Sequence, residues 1–392
     1  MRKAMTSQQS LTTADAALKW SIMLGSMALT LLAFLLPIYA KQLGASALGI
    51  GGLFAVAQCL IVLVRPVIGW ASDRLGRKGF FVAGMVCYAG AMGVFALAHT
   101  VTMLYLAQLL HGLASALTWT SAYTMTTELA VPAQHGKAVG RVDEYAARGA
   151  LYGMGLALVF LSWLALHTAW RGLFLSYTVL ALLGMWLAWA RVPETRSASP
   201  FPAGHRPTVS WPLVRLMSVV FLSYLCITMI RPMFFVFLQD ELTTDVRLLA
   251  CVFLPATLID SFLPSRLGYL SDRWGRKPLI IAGLTWAGLS CVFIPGFSPL
   301  VWVVVLWTSK TLGLAAAMPP QKALISDLTE HDRRGTGYGL YTFAASLGAA
   351  VGPLLGGWLY DAVSHATPFV LTGGVFLTSL GWVLLLLKRT SQ

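Results

Sequence analysis

Six charged side chains lie inside long apolar stretches: Asp143, Glu144 and Arg148 in one, and Arg231, Asp260 and Lys310 each in another. His111 lies at a comparable position in a further stretch. A charge in hydrocarbon costs at least about 2.5–3.5 kcal/mol, so such groups face a bundle interior or a watery cavity. Two kinds of chemistry follow. Loss of water favours a neutral acid and a nearby cation favours the carboxylate, so an acid whose partner changes can take up a proton and release it elsewhere. Asp260 is the best single candidate, with a fixed ion pair to Lys310 or Arg231 as the alternative. His111 can share that task or simply pack. The second chemistry is ligand binding, since a guanidinium presents a planar donor fork to a carboxylate or phosphate. Covalent chemistry is not expected, because there is no Ser/His/Asp set, metal-ligand cluster or phosphate loop. No enzyme activity, cofactor or metal is anticipated.

The elements that hold these residues must be membrane helices. The chain of 392 residues is 57% hydrophobic and 11% charged, too little polar surface for a soluble globule of this length. Segments of about 20 apolar residues, enough to cross the hydrocarbon core, number twelve. They run 17–39, 46–70, 79–98, 101–125, 137–165 and 170–191, then 214–239, 247–270, 278–296, 299–325, 336–360 and 366–387. The expected fold is therefore all-α and integral to the membrane. Two pseudo-symmetric six-helix halves, 1–192 and 214–392, flank a polar, Pro- and Ser-rich cytoplasmic linker over 193–213.

Charge placement sets the orientation. The tails and alternate loops hold 19 of the 28 Lys and Arg residues, whereas the other loops hold Lys41, Arg171 and Arg247. This is the positive-inside pattern, with both termini cytoplasmic, and it accounts for the net charge of +13 without nucleic acid. The expected location is the inner (cytoplasmic) membrane. The five cysteines all fall in apolar segments without paired spacing, so they pack as small hydrophobes. The first 14 residues are polar and a spanning-length run follows, so no cleavable leader is expected.

Gly69-Trp70-Ala71-Ser72-Asp73-Arg74-Leu75-Gly76-Arg77-Lys78 returns 199 positions later as Gly268-Tyr269-Leu270-Ser271-Asp272-Arg273-Trp274-Gly275-Arg276-Lys277, with seven of ten residues identical. Glu128 with Asp327, Gly149 with Gly348 and Gly153 with Gly352 keep the same offset, so the chain is a duplicated unit. Twelve spans in two halves, with G-x-x-x-D-R-x-G-R-K between spans 2 and 3 and again between spans 8 and 9, resemble the major facilitator superfamily. That resemblance implies a secondary transporter that rocks one half against the other to expose a central cavity alternately to each side. It also implies that spans 3, 6, 9 and 12 are peripheral, and those four have no charge in their interiors. Asp73 would latch onto the start of span 11, near Gly335 to Gly339.

The residues of the doubled loop suit a gate. Asp73 and Asp272 can accept bonds from a cation or from free N–H groups at a helix start. Arg74, Arg77, Arg273 and Arg276 hold the loops inside, and Gly76 and Gly275 permit tight turns. Glu128 and Asp327, each eight residues before a Gly, can bridge to those Arg residues, with Lys137, Arg141, Arg333 and Arg334 nearby. Helix capping and topology are the alternative for the doubled-loop residues, and a solvated loop end is the alternative for Glu128 and Asp327.

Depth divides the interior charges. At 1.5 Å per residue Arg148, Asp260, Lys310 and His111 reach the midplane, while Asp143 and Glu144 stay nearer the cytoplasm. Glu144 and Arg148 are also spaced i,i+4, which allows a permanent pair. Arg65 and Arg266 are read as snorkelling to the inner surface. Pro232 is expected to loosen span 7 beside Arg231. Trp119, Tyr123, Tyr152, Met229, Met233, Phe234 and Phe235 are expected either along the cavity or in packing. The family's exporter pattern G-x-x-x-G-P-x-x-G-G is absent from span 5 but present in span 11 as Gly348 to Gly357.

The expected function is proton-coupled export of small amphipathic organic compounds by a monomer in the lipid bilayer. The alternative is transport of an organic anion, metabolite or metallophore, which Arg148, Arg231 and Lys310 favour. A non-transporting receptor on the same fold is disfavoured by two intact gating loops.

Overall fold

A computed structural model describes the backbone of residues 2–129, 135–195, 211–263, 267, 270, 273–328 and 334–387, and the side chains of 14–129, 140–195, 211, 213–260, 262–263, 267, 270, 273–276, 278–321 and 340–379. The described elements are helical: α1 Arg2–Gly25, α2 Ala28–Gln42, α3 Ala47–Leu75, α4 Lys78–Leu97, α5 Val101–Leu129, α6 His135–Trp163 and α7 Leu166–Arg191. Then come α8 Trp211–Glu241, α9 Val246–Phe262, α10 Arg276–Phe293, α11 Leu300–Leu328, α12 Arg334–Ala362 and α13 Thr367–Leu387. Helices are what apolar runs must form in hydrocarbon, where every backbone N–H and C=O has to be satisfied internally.

Among the described residues, ten helices are long and apolar enough to cross a membrane. The eighth expected span is described as helix over the 17 residues of α9, and the twelfth is α13. The first span is divided, since α1 ends at Gly25 and α2 begins at Ala28. Pro232 lies within α8, which runs through it unbroken.

The chain forms two compact units. Unit 1 comprises residues 1–44 and 56–203, and unit 2 comprises 45–55 and 204–392, so the first turns of α3 belong to unit 2. In unit 1, α4 packs on α5 and α7, and α1 packs on α6 and α7. Its core includes Leu18, Phe81, Met85 and Met125. Buried Trp170 stacks on Tyr39 at 3.9 Å and donates its indole N–H to the Phe95 carbonyl at 2.6 Å. In unit 2, α8 packs on α12 and α13, α10 on α11 and α13, and α9 on α11.

The duplicated glycines do matching work in each unit. A Cβ at Gly149 or Gly153 would lie 2.1 or 2.0 Å from the carbonyl oxygen of Met23 or Met27. A Cβ at Gly348 or Gly352 would lie 2.5 or 2.4 Å from that of Phe221 or Leu225. Span 5 thus seats on span 1, and span 11 on span 7, through positions that only glycine fits.

Candidate functional site

Unit 2 holds a cavity of about 450 Å³ built from three helices. Ile227 and Arg231 come from α8, Asp260 from α9, and Thr311, Leu314, Ala315, Met318 and Pro319 from α11. The i,i+4 spacing of the α8 pair and the 311, 314, 315, 318 series on α11 each place their members on one helix face. Arg231 and Asp260 are both exposed to this space. The remaining lining, Thr311 apart, is apolar.

Lys310 behaves differently from its two neighbours. It is only 5% exposed, and its Nζ lies 3.5 Å from the centre of the Trp307 ring. Trp307 in turn stacks on Phe234 at 3.7 Å with an interplanar angle of 4°. The ammonium is therefore held by a cation–π contact behind the cavity wall. It still acts electrostatically on Asp260 and Arg231. Asp260 thus answers to two cations, one facing the cavity and one behind it.

The interior charges of unit 1 find partners close at hand. The Tyr123 hydroxyl donates to Asp143 at 2.6 Å, and Trp119 lies beside Tyr123 with ring centres 5.5 Å apart. Arg65, expected to snorkel away, is half-buried and acts electrostatically on Tyr123. Glu144 and Arg148 form their i,i+4 ion pair, each half-exposed. Arg148 also lies over the Tyr145 ring at 5.3 Å. His111 packs edge-on against Tyr88 at 5.4 Å, a packing contact.

At the loop between α3 and α4, Arg77 is the hub. Its buried guanidinium reaches Asp73 at 3.0 Å and Glu128 at 2.9 Å. The bridge from Glu128 to the loop is therefore formed inside one half. Arg74 instead lies over the Trp70 ring at 4.2 Å. Glu194 was not singled out by the sequence reading, yet it completes this corner. Its carboxylate accepts the Arg77 N–H at 2.7 Å and both its oxygens lie within reach of the Lys78 N–H, capping the start of α4. Gly76 has φ +100°, and a Cβ there would lie 2.6 Å from a Glu194 oxygen. The acid directly after Pro193, at the end of span 6, was the available signal.

In the second copy, Gly275 repeats the turn with φ +92° and α10 begins at Arg276. Arg273 is exposed and Arg276 is partly buried. Asp272, Arg333 and the side chain of Asp327 lie outside the described residues. Several candidate cavity residues prove to be core: Met229, Met233, Phe234 and Phe235 are fully buried, whereas Tyr152 is exposed. Side-chain type alone does not tell which way a helix face points. Among the described residues, no group of His, Cys, Asp and Glu could hold a metal ion.

The family model for the Major Facilitator Superfamily matches residues 20–259 and 216–392. Multidrug resistance protein MdtH of Salmonella arizonae is 24% identical over 363 residues, covering 88% of this chain and 87% of that protein. The human chromaffin granule amine transporter is 24% identical over 335 residues, which are 83% of this chain and 62% of that protein. Among solved structures, a bacterial homologue of the human lysosomal transporter Spinster, inward-facing and occupied, has a TM-score of 0.78 at 15% identity, covering 95% of this chain and 96% of that one. The human organic anion transporter MFSD10 (TETRAN) has a TM-score of 0.69 at 17% identity, covering 95% and 99%. With duplicated helical units and this match along both of them, the chain belongs to the Major Facilitator Superfamily and is a multi-pass membrane transporter.

Proposed function

We propose that this transporter is a proton-coupled exporter of small amphipathic organic compounds, acting as a monomer in the inner membrane with both termini cytoplasmic. One observation carries the reading: a carboxylate and a guanidinium, Asp260 and Arg231, face a single otherwise largely apolar cavity. The apolar wall takes the body of an amphipathic molecule, and the two charges take its polar end. Asp260 is the proton carrier. It sits between two cations and a space that a substrate can fill, so loading the cavity changes the surroundings on which its protonation depends. The relatives named as a multidrug resistance protein and an amine transporter support export of organic compounds.

The test is a vesicle experiment. Protein reconstituted with an imposed pH gradient should move protons when a transported compound is added, and should concentrate that compound against its own gradient. Downhill movement with no proton flux would overturn the coupling.

The second reading, transport of an organic anion, metabolite or metallophore, is favoured by Arg231 facing the cavity with Lys310 behind it. Once Asp260 is protonated, the charge around the cavity is cationic. On that reading Arg231→Ala weakens anionic substrates by roughly 1.5–3 kcal/mol, and Arg231→Lys restores only part. Unchanged affinity for anions, with lipophilic cations still exported, would return the choice to multidrug export.

A further inference from the structure

Unit 2 has a further cavity, of about 360 Å³, where three helix ends meet. Phe237 and Glu241 come from the end of α8, Pro295 from the short 3-10 turn Ile294–Gly296, Phe297 and Ser298 from the loop after it, and His365 from the turn after α12. It shares no lining residue with the cavity of Arg231 and Asp260. Along α8, Glu241 lies roughly 15 Å beyond Arg231. The membrane-length stretch of α8 ends at Glu241, which puts this cavity at a boundary with water.

The surroundings are negative. Asp240, Glu241 and Asp361 all act electrostatically on Tyr360, and no Lys or Arg lines the cavity. Two of these acids are occupied elsewhere: Asp240 accepts the Tyr360 hydroxyl at 2.9 Å, and Asp361 accepts the Ala47 and Leu48 N–H groups at 3.2 and 2.8 Å. Glu241 is the acid on the wall. Its Oε1 meets His365 Nδ1 at 2.6 Å, and among the described residues no hydrogen bond engages Oε2. The helix ends add to the potential. After α8 the Leu242 and Thr243 N–H groups both go to the Leu238 carbonyl, and after α12 those of Val363 and Ser364 both go to that of Leu359. Each turn thus directs two donors to one carbonyl, and the negative end of each helix dipole stays at the cavity. Phe297 is 39% exposed and Phe237 is buried, so two rings border the space beside the carboxylate. The His365 ring is held against Tyr360, with centres 4.4 Å apart.

We infer that this cavity is an accessory binding site for organic monocations, with an ammonium group against Glu241 and an apolar body against Phe237 and Phe297. A primary ammonium brings three N–H donors to the carboxylate and the helix-end carbonyls, and aromatic rings attract a cation. The volume suits a small arylalkylammonium. The cavity of α8, α9 and α11 differs, because there Arg231 repels a cation. The inference rests on neither Asp260 nor proton coupling, so either can fail without the other.

The test uses the full chain in lipid nanodiscs, in a background lacking the five native cysteines, with Ser298→Cys in the cavity and its maleimide labelling rate read against added phenethylammonium chloride. Phenethylammonium should slow labelling to saturation, and phenylacetate should not. Glu241→Gln should raise the half-protecting concentration about tenfold, the scale of one charge-assisted hydrogen bond, and Phe297→Ala about threefold, the scale of one cation–π contact. If the cysteine-free background does not fold, titration calorimetry on the otherwise native chain decides, with about a tenfold loss of phenethylammonium affinity at one site expected in Glu241→Gln. No protection of Ser298→Cys, equal protection by phenylacetate, or unchanged phenethylammonium binding in Glu241→Gln would overturn the site.

Discussion

The two halves descend from one repeated layout, yet they treat their interior charges in opposite ways. In unit 1 the acids are paired locally: Asp143 with Tyr123, Glu144 with Arg148, and Asp73 and Glu128 with Arg77. In unit 2 Asp260 and Arg231 face a cavity, and Lys310 is packed on an aromatic ring behind it. The glycine seams remained equivalent while the charges diverged. Duplication preserves helix packing because backbone contact tolerates no side chain, whereas polar positions are free to take up different work. On the function proposed above, unit 2 carries the groups that respond to substrate and proton.

The largest expected effect falls on unit 1. Arg77→Met leaves the largely buried Glu128 without its cation and should cost on the order of 3 kcal/mol, read as a fall in the thermal unfolding midpoint in detergent. The matching Arg276→Met, at a more open position, should cost less. Equal losses would mean that the two loops are still equivalent. Tyr123→Phe removes the bond to Asp143 and should lower stability by roughly 1.5–3 kcal/mol, leaving protons moved per substrate unchanged. A changed ratio would shift proton handling into unit 1.

Lys310→Met removes a cation that is buried without a cavity face. Stability should hardly change, while affinity for an anionic substrate should weaken on the order of 1 kcal/mol through lost long-range attraction. Titration calorimetry or a binding fluorescence assay reads this directly. The smallest effect belongs to Glu144→Gln. A half-exposed i,i+4 pair contributes about 0.5 kcal/mol or less, so both stability and coupling should persist. Loss of pH dependence in this variant would reverse the assignment of roles to the two units.

Much of this was legible in the sequence because it depended on residue type at fixed spacing. The repeated decapeptide and the constant glycine offset announced two like units, and the Glu144 to Arg148 spacing announced a pair. What escaped notice involved backbone partners far away in sequence. Glu194 and Asp361 cap helix starts 116 or more positions distant, and a free N–H has no residue type to read. Direction was equally hidden: Phe234 and Met229 face the core, although their types suit a cavity as well. Pro232 was expected to loosen span 7, and α8 runs through it as one helix, as membrane helices can when neighbouring groups re-satisfy the freed carbonyl.

The division of labour rests on Asp260 above all. The most direct measurement compares the parent protein with Asp260→Asn in proteoliposomes, recording substrate flux and proton flux together under an imposed pH gradient. Asp260→Asn should retain downhill substrate exchange and lose both substrate-driven proton movement and accumulation against a gradient. Full proton coupling in Asp260→Asn would contradict the account.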